Sequence, residues 1–266
     1  MDTDALGTHF DLTGRGHDVV LVHGLGLNLH MWHAQVEGLS DKYRVLRYDL
    51  IGHGESRRPP IPYEMSDFVR QLKELIEFLP ITQFALIGFS LGGLIAQAFA
   101  LEYPDRVRAL GILHSAYDRS VGEREAIRSR VRLAEAQGPA ATVEAALQRW
   151  FTTGFAQRNP AVIDEVRQWV LANDRGAFAA AYRVLAEADA PLAPRIGAIG
   201  CPTLVMTGEE DYGNSPQMAL GMTKRLRTAQ CCILPGLRHM AAMENPTAVL
   251  EPLRSFLDCV YAYRPL

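Results

Sequence analysis

Phe84-Ala85-Leu86-Ile87-Gly88-Phe89-Ser90-Leu91-Gly92, continuing into Leu94-Ile95-Ala96-Gln97-Ala98-Phe99-Ala100-Leu101, decides the fold of this 266-residue chain. An apolar run reaches a serine set between two glycines, and a helix-like run follows it. The Gly-x-Ser-x-Gly spacing reads as a strand that turns sharply into a helix, with the serine hydroxyl exposed at the tip. Glycines on either side let the backbone pass where side chains would collide. Residues 78–101 carry no charged side chain, a length that could span a bilayer. Pro80, Thr82, Gln83, three glycines and Gln97 interrupt that run, and a buried parallel strand feeding a buried helix is apolar throughout. The stretch therefore reads as core, and no membrane partner is expected.

Further along, Pro202-Thr203-Leu204-Val205-Met206-Thr207-Gly208 reads as a buried strand that delivers a loop at its carboxyl end. Glu209, Glu210 and Asp211 share that loop. A last apolar run, Cys231-Cys232-Ile233-Leu234, leads to Pro235-Gly236-Leu237-Arg238-His239, and of the eight histidines only His239 lies beyond the three carboxylates. Near the start, Val19-Val20-Leu21-Val22 runs directly into His23-Gly24-Leu25-Gly26. A serine, a carboxylate and a histidine on separate strand-end loops are the groups nucleophilic acyl chemistry needs: an attacking oxygen, a base to take its proton and an acid to orient the base.

In the order nucleophile, acid, histidine, and over nearly its whole length, the chain resembles the α/β-hydrolase superfamily. The resemblance implies Ser90 as nucleophile and His239 as base. It selects Asp211 as the acid, because Gly208-Glu209-Glu210-Asp211 with Pro216 beyond is similar to the superfamily's strand-G-x-x-D-then-Pro loop. It also implies an oxyanion hole made by the backbone N–H groups of Leu25 and Leu91. For His23 it leaves a packing role beneath the loop. Tyr48-Asp49-Leu50-Ile51-Gly52-His53-Gly54-Glu55-Ser56 is similar to the superfamily's D-x-x-G-x-G-x-S loop, where Asp49 and Ser56 are expected to bond nearby backbone rather than to react.

With 48% hydrophobic and 21% charged residues, the chain can bury the core of one large α/β domain with an insertion. A net charge of −3, with lysine only at positions 42, 73 and 224 and arginines balanced by carboxylates, gives no basic stripe and argues against a nucleic-acid partner. Cys201, Cys231, Cys232 and Cys259 lack metal-ligand spacing and are expected to be reduced, the adjacent pair inside a buried strand. Neither metal nor cofactor is expected. The acidic start, Met1-Asp2-Thr3-Asp4-Ala5-Leu6, has no basic region followed by an apolar one, so no signal peptide is read and a cytoplasmic location is expected.

Apolar runs near 18–23, 43–48, 84–89, 107–114, 202–207 and 229–234 alternate with helix-patterned segments, which predicts a mostly parallel sheet covered on both faces. An antiparallel strand or hairpin at 8–14 precedes it. Proline in Glu102-Tyr103-Pro104-Asp105 ends the helix after Ser90, and final helices fit 215–227 and 246–260, the second capped by Asn245. Between about 118 and 198 strand-like runs vanish. Gly138-Pro139, Asn159-Pro160 and Asn173 to Gly176 divide this stretch into helices near 120–137, 139–151, 160–172 and 176–188. The expected organisation is an α/β-hydrolase core of residues 1–117 and 199–266 with a helical cap of 118–198 roofing the serine and shaping the substrate pocket.

Within the cap, Arg149-Trp150-Phe151-Thr152 followed by Asn159-Pro160, and Ala186-Glu187-Ala188-Asp189 later, resemble 3-oxoadipate enol-lactonases and related small-ester hydrolases. Trp150 is the candidate substrate contact there, against the alternative of a helix-packing aromatic. His239-Met240-Ala241-Ala242-Met243-Glu244 departs from the enol-lactonase form. The expected partner is a small-molecule ester or lactone. A carbon–carbon bond hydrolase of ring-cleavage products uses the same triad and stays open, as does a ligand receptor that keeps the hydrolase pocket without turnover. Serine at the elbow argues against the carboxylate-nucleophile chemistry of dehalogenases and epoxide hydrolases.

Overall fold

A computed structural model of the protein describes residues 1–262. Its strands are β1 (Asp2–Thr3), β2 (His9–Gly14), β3 (His17–Val22), β4 (Tyr43–Tyr48), β5 (Phe84–Phe89), β6 (Val107–Leu113), β7 (Thr203–Gly208) and β8 (Ala229–Leu234). They form one sheet in the order β1-β2-β4-β3-β5-β6-β7-β8. From β4 to β8 all neighbours are parallel, while β1 and β2 add an antiparallel margin. The strand expected at 8–14 is therefore not a hairpin partner of the next strand: β2 pairs with β4, Phe10 opposite Tyr48. The two-residue β1 pairs with β2 and is too short for any sequence period to reveal.

Val19–Val22 in β3 and all of β5 are fully buried, as continuous apolar runs must be when helices cover both faces. Outside the long insertion these helices are α1 (His33–Leu39), α2 (Met65–Phe78) and α3 (Leu91–Glu102), with three more near the carboxyl end of the chain. In α2, Phe68, Val69, Leu72, Leu75 and Ile76 form one buried stripe, and Glu64 with Asp67 closes a capping box at its start. α3 begins at Leu91, immediately after the serine rather than at Leu94, and α2 packs beside it.

Six α-helices lie between β6 and β7: α4 (Val121–Gln137), α5 (Ala140–Trp150), α6 (Thr153–Arg158), α7 (Pro160–Leu171), α8 (Arg175–Glu187) and α9 (Asp189–Leu192). The last three helices of the described residues are α10 (Pro216–Arg225), α11 (Ala241–Glu244) and α12 (Pro246–Ala262). Asn245 accepts from the Ala248 amide at the start of α12, as its cap position requires. Among the described residues, no helix is long and apolar enough to cross a membrane. One expectation fails at the sheet margin: β8 is the outermost strand, so Cys231 and Cys232 are half-buried rather than interior. An apolar run does not distinguish an edge strand from a central one.

Candidate active site

The parallel strands present their carboxyl ends to one side, and Leu25, Ser90, Leu91, Asp211 and His239 follow the ends of β3, β5, β7 and β8, whereas Trp150 lies at the end of α5. Ser90 follows β5 with φ 55° and ψ −112°, a backbone conformation that L-residues rarely adopt and that persists only where its surroundings enforce it. The Ser90 amide donates to the Leu113 carbonyl at 2.9 Å, and the Ser115 hydroxyl donates to the Ser90 carbonyl at 2.9 Å. A Cβ on Gly88 would collide with the Gly92 carbonyl, and one on Gly92 with the Val22 carbonyl. Both glycines are required by close backbone approach, which is what the five-residue spacing encodes.

Leu25 lines the same cavity as Ser90 and Leu91 directly follows that serine; neither backbone amide donates a hydrogen bond among the described residues. Leu91 opens α3, whose positive dipole end faces the serine. Beneath this loop the fully buried His23 donates from Nδ1 to the Gly24 carbonyl at 2.8 Å and accepts the Leu50 amide at Nε2 at 2.9 Å. Burial and the neighbouring His53 push its pKa down to about 3, so it is a neutral packing ring. Asp49 accepts the Leu29 and Glu55 amides, and the Ser56 hydroxyl donates to the Asp49 carbonyl. These bonds brace the loop beside the site.

The β7 loop turns Asp211 inward and its two neighbours away. Glu209 accepts the Gly236 amide and Glu210 accepts Arg238 Nε. Asp211 is 3% exposed, and its Oδ2 accepts His239 Nδ1 at 2.7 Å. That bond places the His239 proton on Nδ1 and leaves Nε2 free to act as a base. Oδ1 accepts the amides of Gly213 and Asn214 at 3.2 and 3.0 Å. The Ser90 hydroxyl makes no hydrogen bond to His239 among the described residues; both open onto the same cavity. Such contacts are commonly long until substrate binds.

A second histidine, unforeseen in the sequence, shares this carboxylate. His114 follows β6, has φ 48°, is fully buried, and its Nδ1 donates to the same Asp211 Oδ2 at 3.0 Å. Burial pushes the Asp211 carboxyl up, but His239 and His114 together outweigh it and hold it well below the usual carboxylate range. Burial also lowers the His114 pKa against the pull of Asp211. The available signal was positional: a polar residue at the carboxyl end of β6, beside the strand that delivers Asp211. The donor atoms of His114, Asp211 and His239 lie within 4.8 Å of one another. Their N–H···O bonds already join them, and a metal would have to displace those protons.

The helical segment reaches into the site at two points. The Met240 amide donates to the Trp150 carbonyl at 2.9 Å, and Arg238 donates to the Gln148 and Phe151 carbonyls, tying the His239 loop to the end of α5. Asn173 donates to the Gly26 carbonyl at 3.0 Å. Trp150 stands with its ring centroid 6.1 Å from that of His239. A cavity of about 200 Å³ lies between segment and sheet, walled by Ser90, His239, Trp150, Arg130, Arg149 and Tyr182 among others.

An open parallel sheet carrying a strained serine elbow, with a paired histidine and aspartate on the last two strand loops, defines a class. The chain belongs to the α/β-hydrolase fold family, whose model matches residues 19–246. Among its relatives is an (E)-2-((N-methylformamido)methylene)succinate hydrolase of Acinetobacter baylyi, 30% identical over 94% of this chain and 94% of that one. 3-Oxoadipate enol-lactonase 2 of the same organism is 32% identical over 73% of this chain and 71% of its own length. The crystal structure of the enol-lactonase from Burkholderia xenovorans superposes with a TM-score of 0.88 at 29% identity, covering 94% of this chain and 96% of that one. The expected resemblance to enol-lactonases is thus borne out.

Proposed function

We propose that this protein is a serine hydrolase of small carboxylic esters or lactones. The observation that carries this reading is the 2.7 Å bond from His239 Nδ1 to the buried Asp211, set on the same cavity as the strained Ser90. His239 Nε2 takes the Ser90 proton as Oγ attacks the substrate carbonyl, and Asp211 stabilises the imidazolium that forms. The Leu25 and Leu91 amides hold the oxyanion, each such donor typically worth about 2.7–4 kcal/mol in the transition state. His239 then protonates the leaving group, and water, activated by the same ring, releases the acyl group from Ser90. Residues 118–198 serve as the cap, with Trp150 lining the pocket. Kinship with an enol-lactonase supports an ester or lactone carbonyl as the point of attack.

A panel of short-chain p-nitrophenyl esters, small lactones and ring-fission ketones, with Ser90→Ala as blank, tests the reading. Ester or lactone turnover is expected to fall at least about 1,000-fold in the variant while the protein stays folded. Turnover confined to the ketones would shift the assignment to carbon–carbon bond hydrolysis.

A further inference from the structure

Asp211 takes more donors than orienting His239 requires. Its Oδ1 accepts the Gly213 and Asn214 amides, while Oδ2 accepts His239 Nδ1 at 2.7 Å and His114 Nδ1 at 3.0 Å. Four donors fill the acceptor sites of a carboxylate that is 3% exposed. An ionised carboxylate only accepts, so each imidazole turns a proton on Nδ1 towards it. His114 Nε2 has no protein partner among the described residues, which leaves the Asp211 bond to set the tautomer of that ring.

The end of β6 holds both the serine elbow and the acid loop. Within three residues, the Leu113 carbonyl accepts the Ser90 amide, the His114 amide donates to the Met206 carbonyl of β7 at 2.7 Å, and the Ser115 hydroxyl donates to the Ser90 carbonyl. With φ 48°, His114 adopts a left-handed conformation in which asparagine, aspartate and histidine are enriched. Its ring centroid lies 5.6 Å from those of Phe89 and His239, edge-on to the latter. Asp211 and His239 are the titratable groups that act on it. The remaining ionisable groups near His239 lie elsewhere. Arg119 is paired with Asp189, Glu123 is held by the Ser120 amide and hydroxyl, and both line the cavity with Arg130, Arg149, Tyr182 and Tyr212. Arg238 pairs with Glu210. His114 is fully buried and is not among the described residues that wall the cavity, so it reaches a substrate only through Asp211.

Resting on the serine-hydrolase reading, we infer that His114 is a positioning residue for the acid: by sharing Oδ2 it locks the carboxylate towards His239 and draws off part of its negative charge, so that the imidazolium returns its proton readily to the leaving group. Burial alone would raise the Asp211 carboxyl, yet His239 and His114 together hold it well below the usual carboxylate range. An unshared carboxylate would grip the imidazolium more tightly, and His239 would keep its proton to higher pH.

The pH dependence of kcat/KM on p-nitrophenyl acetate, corrected for buffer hydrolysis, tests this in wild type, His114→Leu and His114→Asn. Asparagine suits the left-handed backbone and carries an N–H donor near the place of Nδ1. The acid limb should move up by about half a pH unit or more in His114→Leu, the effect of losing one of two charge-assisted donors, and by no more than about 0.2 unit in His114→Asn. A limb that stays in place or moves down in His114→Leu, or moves equally in both variants, would overturn the inference, because packing would then account for the residue. 15N NMR of the histidine-labelled wild-type protein reads the donor without mutation or turnover. A neutral His114 with its proton on Nδ1 at neutral pH supports the inference, and a proton on Nε2 instead overturns it. If no ester shows Ser90-dependent turnover, the serine-hydrolase reading fails separately, and the NMR titration decides the shared carboxylate. His239 keeping its proton to higher pH in His114→Leu than in wild type supports the sharing; an unmoved titration overturns it.

Discussion

Asp211 Oδ2 is the most contested atom in the site, accepting both His239 and His114. Ser90, Asp211 and His239 were legible as residues because each closes a recognisable strand-to-loop signature. His114 was not, because its role depends on β6 lying beside β7, a neighbour relation that follows from sheet order and not from local pattern. The same geometry separates the two neighbouring carboxylates: Glu210 faces Arg238, whereas Asp211 faces His239. Steady-state kinetics on a short ester should show Asp211→Asn lowering kcat at least about 1,000-fold, since an amide no longer fixes the imidazole tautomer. His114→Leu removes one charge-assisted donor and leaves the pocket wall in place. It should lower kcat by roughly tenfold with KM nearly unchanged, and His114→Asn, which keeps an N–H donor, should recover part of the loss. A change confined to KM would mean that His114 acts on substrate binding instead.

At the scale of elements, the long helices of the insertion fall where Gly138-Pro139, Asn159-Pro160 and Asn173 to Gly176 placed their breaks. α6, α9 and α11 escaped because four to six residues make too few turns for a helical period to show. One of these short helices ties the insertion closed. Asp189, at the start of α9, is 1% exposed; it accepts the Arg119 amide and guanidinium at 2.8 Å and pairs also with Arg124. This cluster joins the two ends of the inserted segment across 70 residues. Asp189→Ala would strand two arginines, one of them buried, and should reduce unfolding stability by about 3 kcal/mol, read as a lower urea midpoint. An unchanged midpoint would show that packing alone holds the segment ends.

For the whole molecule, the fold was readable because apolar strands alternate with helices and because the elbow names the turn between β5 and α3. The edge position of β8 was hidden, since burial on one side or two leaves the same short apolar run. Two interior histidines, His23 and His53, resist protonation within this fold. Burial pushes their pKa values down to about 3 and about 4, from 6.5 in the unfolded chain. Both states leave these rings neutral above pH 6.5. As pH falls from there towards 4, the unfolded chain binds protons that the native rings refuse, so stability decreases. Chemical denaturation at pH 7 and pH 5 should show a loss of about 2 kcal/mol for each of these rings at the lower pH. A flat profile would mean that they titrate normally.

The central claim, that the elbow delivers an activated serine to a substrate carbonyl, is tested most directly by intact-protein and peptide mass spectrometry after exposure to a fluorophosphonate. Attack by an activated oxygen on phosphorus expels fluoride and leaves a stable phosphonyl ester. A single adduct located on Ser90, absent in Ser90→Ala and strongly slowed in Asp211→Asn, is the predicted result. Modification of another residue, or no adduct on the folded wild-type protein, would contradict the account.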